Sequence, residues 1–252
     1  VVLPPQSSHP DVDRPRPSRR AGAVHDLLDV LDVAVVVSRQ APWQLAALQA
    51  ALSADLSREW SGGALVVDDA APAATARAAR ATLADHHPLA RRTVLTLPRR
   101  LGTAAAANLA LDEATGVYVA LVDAATRPAP GTLRRLTEAL EADHDALWAA
   151  TTTPGFAVLR RGGFLDMGGF DPELRGGGAV GDLARRATIE GWRLLTVAGA
   201  PAHRDGRAGG GAARRLRRER GAAVARRRPW SGNALAHWLP AARRGVRRED
   251  LA

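Results

Sequence analysis

The chain has no cysteine, which excludes a disulfide framework and any thiolate metal site. It has no lysine either, so all 35 basic side chains are arginine, and isoleucine occurs once, at Ile189. Set among abundant Ala, Gly and Pro, these gaps read as the codon bias of a GC-rich genome rather than as selection for guanidinium pairing with phosphate. Aromatic residues are scarce at 4%. No stretch approaches the roughly 18 consecutive apolar residues of a membrane-spanning helix, and no charged, then apolar, then small-residue signal opens the chain. Because the first residue is Val1 rather than Met, that absence is read for this stretch alone. The expected location is the cytoplasm.

The 252 residues are 46% hydrophobic and 24% charged, the composition of a globular protein long enough to bury its own core. The net charge of +9 is unevenly placed. Residues 201–252 hold 14 Arg against Asp205, Glu219, Glu249 and Asp250, a balance of +10, which leaves residues 1–200 at −1. The basic character therefore describes a tail and does not make the body a nucleic-acid binder. Three regions are expected: a flexible Pro-rich linker over 1–29, a folded domain over 30–204, and an Arg-rich helical tail over 205–252.

Within the domain, short β-branched runs alternate with longer Ala/Leu-rich stretches. The runs 33–37, 64–67, 93–97, 117–122, 156–159 and 194–197 read as strands; 42–56, 73–83, 104–114, 131–142 and 183–190 read as helices. Strands apolar on both faces and separated by helices predict an α/β fold with a mainly parallel sheet covered on both sides. Ligands of such sheets bind beyond the carboxyl ends of the strands. Those ends carry Ser38-Arg39-Gln40, Asp68-Asp69, and Asp123 with Thr126. Clustered carboxylates there suit a hard divalent cation shared with a diphosphate, or they simply cap the helices that follow.

The segments VVVSRQAP (35–42), LVVDDAAP (65–72), GTAAAAN (102–108) and GVYVALVDAATRP (116–128) resemble the nucleotide-binding half of family-2 glycosyltransferases, which have the Rossmann-like GT-A fold. GFAVLRRGGFLDMGGFDPEL (155–174), DLARRATIEGWRL (182–194) and Ala202-His203-Arg204 are similar to the acceptor side of the same family. The basic tail and Pro-rich lead-in are similar to its bacterial subgroup linked to mycofactocin modification. The resemblance implies transfer of a sugar from a nucleotide-diphosphate donor to an acceptor hydroxyl, with inversion. It also implies donor contacts from Ser38, Asp68, Asp69, Asn108 and Asp123, and a Mg or Mn ion held by Asp123 and His203.

Departures from the family pattern fall on the chemistry. Asp123-Ala124-Ala125 places a methyl where the second carboxylate of D-x-D belongs, and Ala179-Val180 stands where the E-D of E-D-x-D-L supplies the base. Arg39-Gln40 replaces Tyr-Asn, Ala70-Ala71 replaces Gly-Ser, and Ala107 replaces an Arg. A positioned base is worth typically about 10²–10⁴-fold, so a substitute matters. Asp182 is the candidate, if the Gly176-Gly177-Gly178 loop shifts; its alternative role is an acid at a helix N-terminus. Asp171 and Glu173 stand behind it.

Two further signals are weighed. His86-His87 reads as a solvated turn, since adjacent side chains point apart. Residues 212–228 carry eight Arg with only Leu216 and Val224 as sizeable apolar groups, which suits peripheral contact with an anionic membrane surface. The segment has no aromatic platform, so nucleic acid is not an expected partner. Three functions stay open: an active glycosyltransferase, a degenerate relative that binds nucleotide-sugar or a partner without turnover, and a basic-tail adaptor for membrane or nucleic acid.

Overall fold

The structure is a computed structural model and describes residues 31–56, 62–84, 91–174, 177–204, 230 and 232–251. It holds an eight-stranded sheet in the order β10-β3-β2-β1-β4-β7-β6-β8. In chain order the strands are β1 (Leu31–Val37), β2 (Gly63–Asp68), β3 (Arg91–Thr96), β4 (Tyr118–Asp123), β6 (Ala146–Ala150), β7 (Phe156–Arg160), β8 (Arg193–Thr196) and β10 (Arg247–Leu251). A small two-stranded sheet pairs β5 (Thr126–Pro128) with β9 (Ala202–Arg204). The helices are α1 (Pro42–Asp55), α2 (Ala73–Ala84), α3 (Thr103–Glu113), α4 (Thr132–Ala142), α5 (Arg161–Asp166), α6 (Gly177–Ile189) and α7 (Gly232–Ala242).

The centre, β3-β2-β1-β4, is parallel; β7 runs antiparallel to β4 and to β6, and β10 antiparallel to β3. The two faces follow from strand alternation. Along β1, Val33, Val35 and Val37 meet α1, α2 and α4, where Leu45, Leu48, Leu52, Leu133, Leu136 and Leu140 close one core. Ala34 and Val36 face the other way, toward Leu109 and Leu111 of α3, Phe164, Leu183 and Trp238. Helix α3 is buried all along Ala105–Leu111. Its alanines let the backbone approach the sheet closely, which explains an Ala-rich helix with no polar face.

The chain adds β2 and β3 on one side of β1 and then crosses to put β4 on the other. The gap beyond the carboxyl ends of β1 and β4 is thus a topological switch point, where open α/β sheets bind ligands. The opposite end is closed by Asp32. Its carboxylate accepts the N–H groups of Gly63 at 2.5 Å, Thr115 at 2.7 Å and Gly116 at 2.9 Å, with Arg91 at 3.4 Å.

The expected boundary at residue 204 is corrected. Helix α7 packs on α3 and α5, with Leu235 buried and Trp238, Leu239, Ala242 and Val246 against the second core. Strand β10 pairs with β3 along the sheet edge, fixed by Thr93 Oγ1 donating to Asp250 at 2.8 Å and by Arg248 on Glu113 at 3.2 Å. Residues 232–251 are therefore part of the domain. The linker over 1–29, His86-His87 and the Arg-rich stretch 212–228 lie outside the described residues.

Candidate functional site

Each residue that the sequence places at a strand end can be followed to its partners. After β1, Ser38 donates its N–H to Gln40 Oε1 at 2.7 Å, and the Gln40 carbonyl accepts from Thr75 Oγ1 of α2 at 2.8 Å. That tight turn points the Gln40 amide across the switch point, where Nε2 lies 3.5 Å from Asp123 Oδ1 at the end of β4. The same oxygen accepts the Ala125 N–H at 3.0 Å, while Oδ2 is ion-paired with Arg204 Nη2 at 2.5 Å.

Arg204 is held over Asp123 by the loop between β6 and β7. Its Nη1 donates to the Pro154 carbonyl at 3.0 Å, and Thr153 Oγ1 donates to the Ala202 carbonyl at 2.6 Å. Beneath them, Gly155 has φ +107°, and its carbonyl accepts the Asp123 N–H at 2.8 Å. A Cβ there would stand 2.6 Å from Thr126 Oγ1 and 2.7 Å from Arg204 Nη1, so the position requires glycine. Asp123 and Arg204 stay 26% and 37% exposed as side chains, so a ligand can reach both. Sequence reasoning noted Gln40 only as a departure and passed over Arg204; the available signal was that both sit at the strand-end rim.

The other acids at the rim are spent on the fold. Asp68 Oδ1 accepts the Ala71 N–H at 2.8 Å and stabilises the turn in which Ala70 takes a positive φ of 49°. Asp69, 1% exposed, accepts the N–H groups of Leu101 at 2.6 Å and Gly102 at 3.0 Å and so ties down the approach to α3. Asn108 is a correction to the expected donor contacts. It is fully buried and faces the Phe170 backbone, donating to its carbonyl at 2.7 Å and accepting its N–H at 2.9 Å. Fully buried, with both halves of the amide turned to that backbone, it is engaged by the fold.

Asp182 is also corrected. It is buried on α6, with Arg186 Nε at 2.7 Å from Oδ2 and Arg185 at 3.4 Å from Oδ1. Arg186 continues to the carbonyls of Met167 at 2.5 Å and Gly169 at 2.6 Å. The acid thus anchors the cation that holds the Gly168-Gly169 turn, a positioning role and not that of an open base. Val180, in the position expected of the base, is 36% exposed. Nearby, burial pushes the Asp171 carboxyl above its ordinary range; Asp182 adds to the rise, while the Glu173 N–H and Arg186 oppose it.

The residues do not fit a divalent metal ion. Neighbours in a strand point to opposite faces, so with Arg204 on Asp123 the exposed His203 points away from it. It lines an open pocket with Arg127, Pro201, Ala47 and Ala51. Asp123 and His203, expected to share an ion, are therefore not brought together. Ala125 offers a methyl, and Asp123 already carries a guanidinium whose charge repels a cation. Among the described residues no cluster of three His, Asp or Glu side chains is placed to hold a metal.

Comparison with known proteins agrees with the architecture. Residues 64–164 match the family model for glycosyl transferase family 2. No curated protein matches the chain by sequence. A mannosyltransferase of Pyrobaculum calidifontis, solved with GDP-Man and Mn²⁺, superposes with TM-score 0.66 at 23% identity, over 84% of this chain and 72% of that one. Glucosyl-3-phosphoglycerate synthase of Mycobacterium tuberculosis, solved with Mn²⁺, UDP-Glc and glycerol 3-phosphate, gives 0.59 at 13% identity over 82% and 86%. GalNAc-T7 with UDP, GalNAc and Mn²⁺ gives 0.60 at 15% over 71% of this chain, which spans only 44% of that protein. No helix among the described residues is long and apolar enough to cross a membrane. Residues 64–164 thus match glycosyl transferase family 2, on a chain with the GT-A fold.

Proposed function

We propose that the chain transfers a sugar from a nucleoside-diphosphate donor to an acceptor hydroxyl, with inversion. The observation that carries this reading is the convergence of Gln40, Asp123 and Arg204 at the switch point between β1 and β4. In the reaction the bond from the anomeric carbon to the donor phosphate oxygen breaks, and its electron pair leaves on the nucleoside diphosphate. The acceptor oxygen bonds the same carbon from the opposite side and gives its proton to a base. With Asp182 engaged by arginines, the carboxylates left to take it on the acceptor side are Asp171 and Glu173. The departing diphosphate gains from cationic groups placed where its charge develops.

A second reading, binding of nucleotide-sugar without turnover, is favoured by Val180 in the base position and by the buried Asp182–Arg186 pair. Release of nucleoside diphosphate from UDP- and GDP-sugars by the purified chain separates the two, since donor hydrolysis requires no knowledge of the acceptor. Turnover that falls about 10²-fold or more in Asp171→Asn or Glu173→Gln supports transfer and identifies the base. Tight donor binding with no turnover supports the second reading. Contact of residues 212–228 with an anionic membrane surface remains a proposal from charge alone.

A further inference from the structure

We propose that the guanidinium of Arg204, and not a divalent ion, is the resident cation for the donor diphosphate, so that donor binding is metal-independent. The inference rests on the donor-site reading above and goes beyond it in naming what neutralises the phosphates. Three observations carry it. Arg204 and Asp123 form a charge-assisted contact at 2.5 Å, at the point where a shared metal was expected. The ligand set there has shrunk to one carboxylate, because Ala125 has no ligand atom and His203, paired with Arg127 across β5 and β9, lies by strand alternation on the face opposite to Arg204. The cation is also built in: the Pro154 carbonyl fixes Nη1, and the missing side chain of Gly155 leaves room for the guanidinium beside Thr126 and Asp123.

The chemistry suits a diphosphate. A guanidinium carries more N–H donors than the contacts to Asp123 and Pro154 consume, and its planar fork matches phosphate oxygens two at a time. Because arginine keeps its charge across the whole working pH range, it needs no cofactor concentration to be maintained. Arg39 is exposed just beyond the end of β1. Asp123 then positions Arg204, and it competes with the incoming phosphate for the guanidinium.

The test is calorimetric titration of the full chain with UDP and with GDP, each in EDTA and in Mn²⁺. The wild type is compared with Arg204→Ala, Arg204→Lys and Asp123→Asn. We expect one nucleotide to bind with a Kd equal within about threefold in the two buffers. Arg204→Ala should weaken it by about 10- to 100-fold, the loss of a charged hydrogen-bonding partner, and Arg204→Lys should recover part. Asp123→Asn should tighten binding by about threefold or more, because a competing anion is removed. A metal site demands the reverse. Binding that rises tenfold or more with Mn²⁺ and vanishes in Asp123→Asn overturns the inference while leaving the donor site in place. Metal-independent binding untouched by Arg204→Ala overturns the assignment to Arg204. Failure of both nucleotides to bind in either buffer overturns the donor-site reading and the inference with it. Should Arg204→Ala fail to fold, the wild-type buffer comparison and Asp123→Asn still decide.

Discussion

Asn108 and Phe170, 62 residues apart, are joined by a reciprocal pair of hydrogen bonds: the Asn108 side-chain amide serves both the carbonyl and the N–H of the Phe170 backbone. The pair fixes the Gly168-Gly169 turn to α3, and a Cβ on Gly169 would stand 2.6 Å from Asn108 Oδ1. Phe170 is then seated edge-on against Phe164, with ring centroids 4.9 Å apart. Asn108→Ala leaves two buried backbone groups without partners, a cost of about 2–5 kcal/mol. Thermal melting should fall by about 5–15 °C. Nucleotide affinity of the folded fraction, titrated well below the transition, should stay within about twofold. A large loss of affinity with normal stability would return Asn108 to the donor site.

Gly155 offers a test of how the site is assembled. Alanine there meets both a positive φ and contacts shorter than 3 Å with Thr126 and Arg204. Relief requires the Arg204 guanidinium to shift from its place beside Thr126 and Asp123. Gly155→Ala should therefore lower diphosphate affinity by about tenfold or more and lower the melting temperature. Affinity as in the wild type would mean that the Arg204 position is not set by this loop.

The buried pair Asp182–Arg186 should matter for the fold more than for proton transfer. Arg186→Met strands the Asp182 charge and the carbonyls of Met167 and Gly169, so a loss of about 3–5 kcal/mol is expected in denaturant unfolding. In Asp182→Asn, any turnover per folded molecule should stay within about threefold. A drop of about 10²-fold at normal stability would make Asp182 the base after all.

Asp171 supplies a pH signature. Its folded pKa is raised above the ordinary 3.8, chiefly by burial, so the native state holds the proton more tightly than the unfolded chain. Its contribution to stability is fully present below 3.8 and is lost as pH rises through the raised folded value. Asp171→Asn keeps an oxygen for the Glu173 N–H and removes the charge. The variant should melt higher than the wild type at neutral pH, and the gain should shrink as pH falls toward 3.8. A gain that grows on acidification would reverse the sign and defeat the burial argument.

Removal of residues 232–252 should not be neutral. It exposes the β3 edge and uncovers apolar surface on α3 and α5, so the truncated chain should unfold at lower denaturant and aggregate more readily. Replacing only the eight Arg of 214–228 by Gln should leave the denaturant midpoint unchanged and abolish cosedimentation with anionic vesicles at low salt. Vesicle binding that survives this change would locate the membrane contact elsewhere or show it to be non-electrostatic.

The six strands and five helices read from apolar periodicity are all present, because β-branched runs such as VAVVV and Leu spacings such as those of α4 encode their own burial. The acids read at strand ends lie at the rim of the switch point between β1 and β4. What sequence could not show was who meets whom there. Asn108 and Asp182 carry the residue types expected of ligand contacts, yet buried backbone and a buried arginine claim them first, since unsatisfied polar groups inside a core cost more than a missed ligand contact. Strand β10, Arg-Arg-Glu-Asp-Leu, escaped notice because an edge strand exposed to water has no hydrophobic alternation to read. Helix α7 was hidden among arginines. The pairing of Asp123 with Arg204, across 81 residues, was decided by the tertiary structure alone. The fold carries β9 beside β5, and strand alternation then sends Arg204 to the carboxylate and His203 away from it.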